Sequence, residues 1–193
     1  YTGERRAGTV GFPLPGVELK ITDRQTGATL PQGEIGEIEV RGPNVFQGYW
    51  QMPEKTAEEL RENGFFITGD LGKIDEDGYL HIVGRNKDLI ISGGYNIYPK
   101  EIELLLDNEA GVLESAVVGV PHPDFGETVV GVVVAEKGVE LDLDQLKQNI
   151  SGSLARFKQP QKLFVVDELP RNTMGKVQKK ALREAYKNTY QKP

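Results

Sequence analysis

Three stretches of the chain carry residue types and spacings that could do chemistry. The first is Phe66-Ile67-Thr68-Gly69-Asp70-Leu71. A glycine before an aspartate at a strand end lets a carboxylate project from tight backbone, and one carboxylate can accept two hydrogen bonds, which suits the paired hydroxyls of a ribose. The plainer reading is an aspartate satisfying turn amides. The second runs from Gly84 to Glu103 and holds Arg85, Asp88 and the Ser92-Gly93-Gly94 run. Arg85 has the geometry to meet phosphate or ribose oxygens, and the paired glycines permit positive φ and close approach of a ligand or another backbone. A hairpin with a Gly-Gly turn and a surface arginine explains the same residues. The third is Leu169-Pro170-Arg171-Asn172-Thr173-Met174-Gly175-Lys176-Val177. It is no Walker phosphate loop, because Pro170 stands where that loop begins with glycine and Val177 where it ends in Ser or Thr. What remains is a lysine on a positioned loop. An ammonium there could stabilise charge building on a transferring phosphoryl group, or it could be a solvated surface lysine.

The elements that must hold these residues fall into two textures. Sixteen of the 23 glycines lie in residues 1–94, and that part reads as short strands and turns. Residues 17–22 and 34–41 alternate apolar and polar, the period of half-buried strands, and they form a hairpin or strand pair. Pro53 opens a short helix to Arg61. A strand starts at Phe65, and Asp75-Glu76-Asp77-Gly78 turns the chain into another over 79–83. After Gly94 the pattern mixes. Residues 99–106 are helical with Ile102, Leu105 and Leu106 on one face. Residues 115–120 and 128–135 are valine-rich buried strands. Leu143, Leu146, Ile150 and Leu154 make a helical stripe, 162–166 is a strand, and 177–187 is a closing helix. The fold class is α+β: a strand-rich, β-barrel-like part followed by a small α+β domain. The boundary falls near Asp88.

Composition limits the function classes. There is no cysteine, which excludes disulfides, thiolate metal sites and a cysteine nucleophile. His81 and His122 have no ligand-like spacing, so no metal site is expected in this chain. Net charge is −6. The segment 151–193 carries +7 and the rest −13, a basic tail suited to an anionic small molecule, or simply a solvated lysine-rich helix. No apolar run is long enough for a helical membrane span. A cytoplasmic protein is the expectation, binding neither membrane nor nucleic acid. The chain begins with Tyr1, which suggests a fragment or a processed chain.

Taken in order, Thr68-Gly69-Asp70, Gly84 to Asp88, Gly93 to Glu103 and Pro170 to Lys176 resemble the C-terminal motifs of the adenylate-forming superfamily, which includes AMP-forming acyl-CoA synthetases, luciferases and peptide-synthetase adenylation domains. The wording of the Gly93 to Glu103 stretch looks more like the CoA ligases. The stretches Gly3 to Gly11, Ala155 to Pro160 and Pro170 to Lys176 are most similar to bacterial malonyl-CoA synthetases. The resemblance implies an acid-thiol ligase. It assigns residues 1–87 to the distal end of a large N-terminal domain and 88–193 to a mobile C-terminal domain. Asp70 and Arg85 would bind the nucleotide, Asp88 would be the hinge, and Lys176 would be the adenylation lysine. Ser92, Gly93 and Gly94 would line the pantetheine tunnel of CoA. ATP, Mg2+ and coenzyme A are the implied cofactors and co-substrates, the Mg2+ held mainly by residues outside this chain. The acid would be malonate or a related short dicarboxylate. A protein lysine acetyltransferase acting on Lys176 is a further implied partner, since acetylation removes the charge. The family's Ser/Thr/Gly-rich phosphate loop and its adenine-contacting motif are missing here, and Tyr1-Thr2-Gly3-Glu4 mimics the latter without its spacing. The chain alone is therefore expected to be inactive, with function belonging to a longer parent. A carrier-protein-loading adenylation domain, or a stand-alone domain that binds nucleotide, CoA or an acetyltransferase, is the alternative.

Overall fold

The computed structural model describes residues 4–191. The Tyr1-Thr2-Gly3 start and the last two residues of the basic tail lie outside the described residues. The chain divides into two compact units, residues 1–87 and 88–193.

In the first unit four strands pair antiparallel in chain order: β1 (Glu18–Thr22), β2 (Gly36–Arg41), β3 (Phe66–Ile74) and β4 (Leu80–Arg85). A short helix, α1 (Pro53–Glu59), lies in the connection between β2 and β3. Ile21, Ile38 and Leu80 form the core, with Leu19, Leu30, Val40 and Ile74 packed against them. The polar face of β2 is not in water: Glu37 is 6% exposed and Glu39 fully buried. β3 begins one residue after the expected Phe65 and runs nine residues, so Asp70 sits within the strand and not at its end. The strand continues because Gly69 takes φ +72° and β4 keeps pairing across a register shift between Leu71 and Gly72. An L-residue at Gly69 would be strained.

The second unit contains β5 (Ile90–Ser92), β6 (Tyr95–Ile97), α2 (Pro99–Asp107), β7 (Val112–His122), β8 (Gly126–Ala135), α3 (Leu143–Ser151), β9 (Lys162–Val166) and α4 (Lys179–Tyr186). β8 is the central strand. β7 pairs antiparallel along it, β9 runs parallel beside Val130 to Val134, and β5 joins through the Ser92–Gly126 pair. The valine runs are near-continuous because both faces of β7 and β8 are covered. Val117, Val129 and Val133 pack with Ile102, Leu106, Leu146 and Ile150. Ala116, Val118, Val130 and Val132 pack with Leu169 and Leu182. Each such valine contributes about 1.5–3 kcal/mol on burial. Asp142 caps α3, its Oδ1 accepting from the amides of Asp144 and Gln145 at 3.0 Å each.

The closing helix starts at Lys179, two residues later than the helical pattern suggests. Val177 is instead paired with Arg171 in a β-bridge, and the Gln178 amide donates to the Pro170 carbonyl at 2.7 Å. The loop's own hydrogen bonds take the backbone groups that a first helical turn would need. No helix among the described residues is long and apolar enough to cross a membrane.

Candidate functional site

The residues singled out in the first unit are brought together. Asp70 pairs in register with Arg85 across β3 and β4, and the Arg85 Nε lies 2.7 Å from Asp70 Oδ1. Thr68 ties the Asp70 backbone to β2: its hydroxyl donates to the Ile38 carbonyl at 2.9 Å and accepts from the Asp70 amide at 3.1 Å. Burial pushes the Asp70 carboxyl above its ordinary pKa, with the Arg85 guanidinium pulling it back. A half-buried carboxylate beside a half-exposed guanidinium offers acceptor sites for hydroxyls next to a cation for phosphate.

In the second unit the Ser92-Gly93-Gly94 run is the turn of a tight hairpin. Ser92 pairs with Tyr95, and Gly93 and Gly94 take φ +56° and +85°, the left-handed pair that a two-residue hairpin turn demands. The turn is tied down from β8 and the residue before it. The Gly93 amide donates to the Phe125 carbonyl at 2.9 Å, and the Ile91 amide donates to Glu127 Oε2 at 3.0 Å. Only one Cα pair joins β5 to β8, so the Glu127 carboxylate supplies much of the attachment. Glu127→Ala is expected to raise hydrogen exchange at the Ile91 amide about 10- to 100-fold, the equivalent of one lost hydrogen bond to a charged group. Exchange in the loop around Lys176 serves as the internal reference and should not change.

Asp88 sits at the end of the 3-10 turn Asn86–Asp88, and its Oδ1 pairs with the Arg183 guanidinium on α4 at 2.7 Å. Lys176 lies at the close of a loop that folds on itself. Asn172 Oδ1 accepts from the amides of Met174 and Lys176 at 3.0 and 2.9 Å, and the Asn172 amide donates to the Lys176 carbonyl at 3.0 Å. Gly175 takes φ +78°. The Lys176 side chain is exposed, and its ammonium has no partner among the described residues. A hydrogen-bonded backbone thus presents an exposed cation.

Several residues that shape the site were given no role from the sequence. Glu103 is 6% exposed on α2. Its Oε1 accepts from the Val117 amide at 2.9 Å and lies 2.5 Å from Lys179 Nζ at the start of α4. Glu127, Glu114 and Arg183 hold groups 36, 57 and 95 residues away, and no local spacing marks them. Among the described residues no three His, Asp or Glu side chains converge as a cation site.

Residues 101–176 match the AMP-binding enzyme C-terminal domain, and residues 1–50 match the AMP-binding enzyme model. The chain belongs to this adenylate-forming family. Its strand-rich α+β make-up agrees with the solved members. It is 61% identical to MatB from Rhodopseudomonas palustris with ATP bound, with a TM-score of 0.94 over 99% of this chain and 38% of that one. A malonate–CoA ligase from Arabidopsis thaliana is 41% identical over 96% of this chain and 32% of its own length. The amide bond synthetase McbA from Marinactinospora thermotolerans is 40% identical, with a TM-score of 0.87 over 93% of this chain and 36% of that one. The chain therefore spans between 32% and 38% of the length of these relatives.

Proposed function

We propose that this chain is the C-terminal portion of an ATP-dependent acyl-CoA synthetase acting on malonate or a related short dicarboxylate. The observation that carries the reading is Lys176, an exposed cation on a loop whose backbone is fixed by Asn172. In the first half-reaction a carboxylate oxygen attacks the α-phosphorus of ATP and pyrophosphate leaves. The Lys176 ammonium bridges the carboxylate and the α-phosphate, where negative charge accumulates. Asp70 accepts from the ribose hydroxyls, with Arg85 alongside. In the second half-reaction the CoA thiol attacks the acyl carbon, the thiol proton is lost to solvent, and AMP leaves. The Gly93-Gly94 turn then lines the pantetheine path, and Asp88 is the hinge between the two arrangements. Acetylation of Lys176 would silence the first step alone.

Similarity to a malonate–CoA ligase and to MatB with ATP bound supports both the chemistry and the choice of acid. Similarity to an amide bond synthetase supports a second reading, in which the adenylate passes to an acceptor other than CoA. The test uses the full-length protein that carries this chain. Pyrophosphate release is measured with malonate, methylmalonate, acetate and a medium-chain fatty acid, each with and without CoA. Malonate should give the highest kcat/KM and a CoA thioester product. Release with another acid keeps the chemistry and discards malonate. Transfer to an amine or a carrier-protein thiol, and not to free CoA, moves the second reading to first place.

A further inference from the structure

A lysine side chain on a fixed loop works only if the loop itself is fixed to the body of the domain. The Asn172 bonds close the loop around Lys176 but attach it to nothing else. Leu169 and Val177 pack the ends of the loop against the core, and the polar attachment nearest Lys176 is made by Arg171. Its Nη1 donates to the carbonyl of Gly175, the residue before Lys176, at 2.7 Å. Its Nη2 pairs with Glu114 Oε2 on β7. Its backbone bridges Val177, the residue after Lys176. The Arg171 guanidinium therefore links Gly175, on one side of Lys176, to a strand of the sheet, while the Arg171 backbone pairs with Val177 on the other. The task suits arginine, because a planar fork can serve a carbonyl and a carboxylate at once, which a single ammonium does with poorer geometry. The pair is partly exposed, with side-chain exposures of 42% for Arg171 and 29% for Glu114. Such a pair adds little to folding, so its residue types are better explained by what they hold in place.

We propose that Glu114 and Arg171 are positioning residues for Lys176, required for the adenylation half-reaction and not for the thioester-forming one. The proposal rests on the role given to Lys176 above. A displacement of about 1 Å at a charge-stabilising group can cost about 100-fold in rate, which is the scale available to a residue that acts through its neighbour.

The experiment uses the full-length protein and reads two rates separately: acid-dependent pyrophosphate formation, and conversion of a preformed acyl-adenylate with CoA to thioester. Arg171→Ala and Glu114→Ala should lower the kcat of pyrophosphate formation by about 10- to 100-fold with little change in KM for ATP. Arg171→Lys, which keeps the cation, should recover part of the loss. Thioester formation should stay within about twofold of wild type, since a step that does not use Lys176 gains nothing from its placement. In a Lys176→Ala background, adding Arg171→Ala should cause no further loss, because residues acting as one unit are not additive. Three results overturn the proposal: unchanged adenylation in Arg171→Ala, equal losses in both half-reactions with a lowered melting temperature, or additive loss on the Lys176→Ala background. The reading of Lys176 fails separately, and takes the proposal with it, if Lys176→Ala itself leaves adenylation intact.

Discussion

Lys176→Ala in the full-length protein is expected to lower acid-dependent pyrophosphate formation by about 100- to 1,000-fold, the range for removing one preorganised group that stabilises transition-state charge. The effect should fall on kcat more than on the KM for ATP, because the ammonium is solvated before reaction and its gain is made only as charge builds. Folding should be untouched. The side chain is exposed and has no partner among the described residues, and the loop is held by the backbone and by Asn172, Arg171 and Glu114. Equal melting temperatures with a large loss of adenylation would therefore be a chemical effect. Lys176→Arg should recover little, since a wider guanidinium cannot occupy the point where a compact ammonium sits. Preformed acyl-adenylate should still yield thioester in the Ala variant. Wild-type pyrophosphate formation in that variant would reduce Lys176 to a solvated surface lysine and remove the chain's claim to the first half-reaction.

Local pattern made most of the secondary structure legible. The valine runs, the Leu143 to Leu154 stripe and the turn around Asp75 to Gly78 all follow from residues within a few positions of one another. The order of the four motifs was legible for the same reason. What escaped depended on contacts distant in sequence. The Val177 helix start looked sound by propensity, but the Asn172, Arg171 and Pro170 bonds claim that backbone first. Asp70 looked like a strand end because Gly69 breaks most strands, yet the pairing with β4 carries the strand through it. Glu114 and Glu127 look like ordinary surface acids until their partners, Arg171 and the Ile91 amide, are in view. Nothing in the alternation of β2 signals that its glutamates are buried, because period two separates the faces without stating what covers each.

The burial of Glu39 leads to the second large expected effect. The side chain is fully buried. Its Oε1 accepts from Arg61 Nε and from the Thr22 hydroxyl, each at 2.8 Å, and its Oε2 lies 3.0 Å from Lys20 Nζ. Lys20 stands directly opposite Glu39 in the β1–β2 register. Burial by itself would raise the Glu39 pKa, but the bonds from Arg61, Lys20 and Thr22 outweigh it and hold the carboxyl below its ordinary range. Two residues away Glu37 is pushed the other way, by burial and then by the charge of Glu39, although Asn86 Nδ2 donates to it at 3.1 Å. Glu39→Ala leaves two cations with no carboxylate between them. Because Lys20 and Arg61 keep side-chain exposures of 20% and 33%, the loss belongs at the lower end for a broken buried pair, about 3 kcal/mol. Glu39→Gln, which keeps an acceptor for Thr22 and Arg61, should cost less. The pH dependence gives the mechanism a sign. A depressed folded pKa contributes stability that is present above the unfolded value and lost as pH falls through the folded one. The gap between wild type and Glu39→Ala should therefore be full at neutral pH and shrink only below the ordinary carboxylate range. Glu37 works oppositely: its raised pKa favours the fold once it is protonated, so mild acid should not weaken the first unit through that residue. Hydrogen exchange across β1, β2 and β3 in the full-length protein, at neutral and acid pH, measures both terms. A loss below about 1 kcal/mol at neutral pH would place this cluster with solvated surface pairs and would mean that the polar face of β2 is open to water in solution.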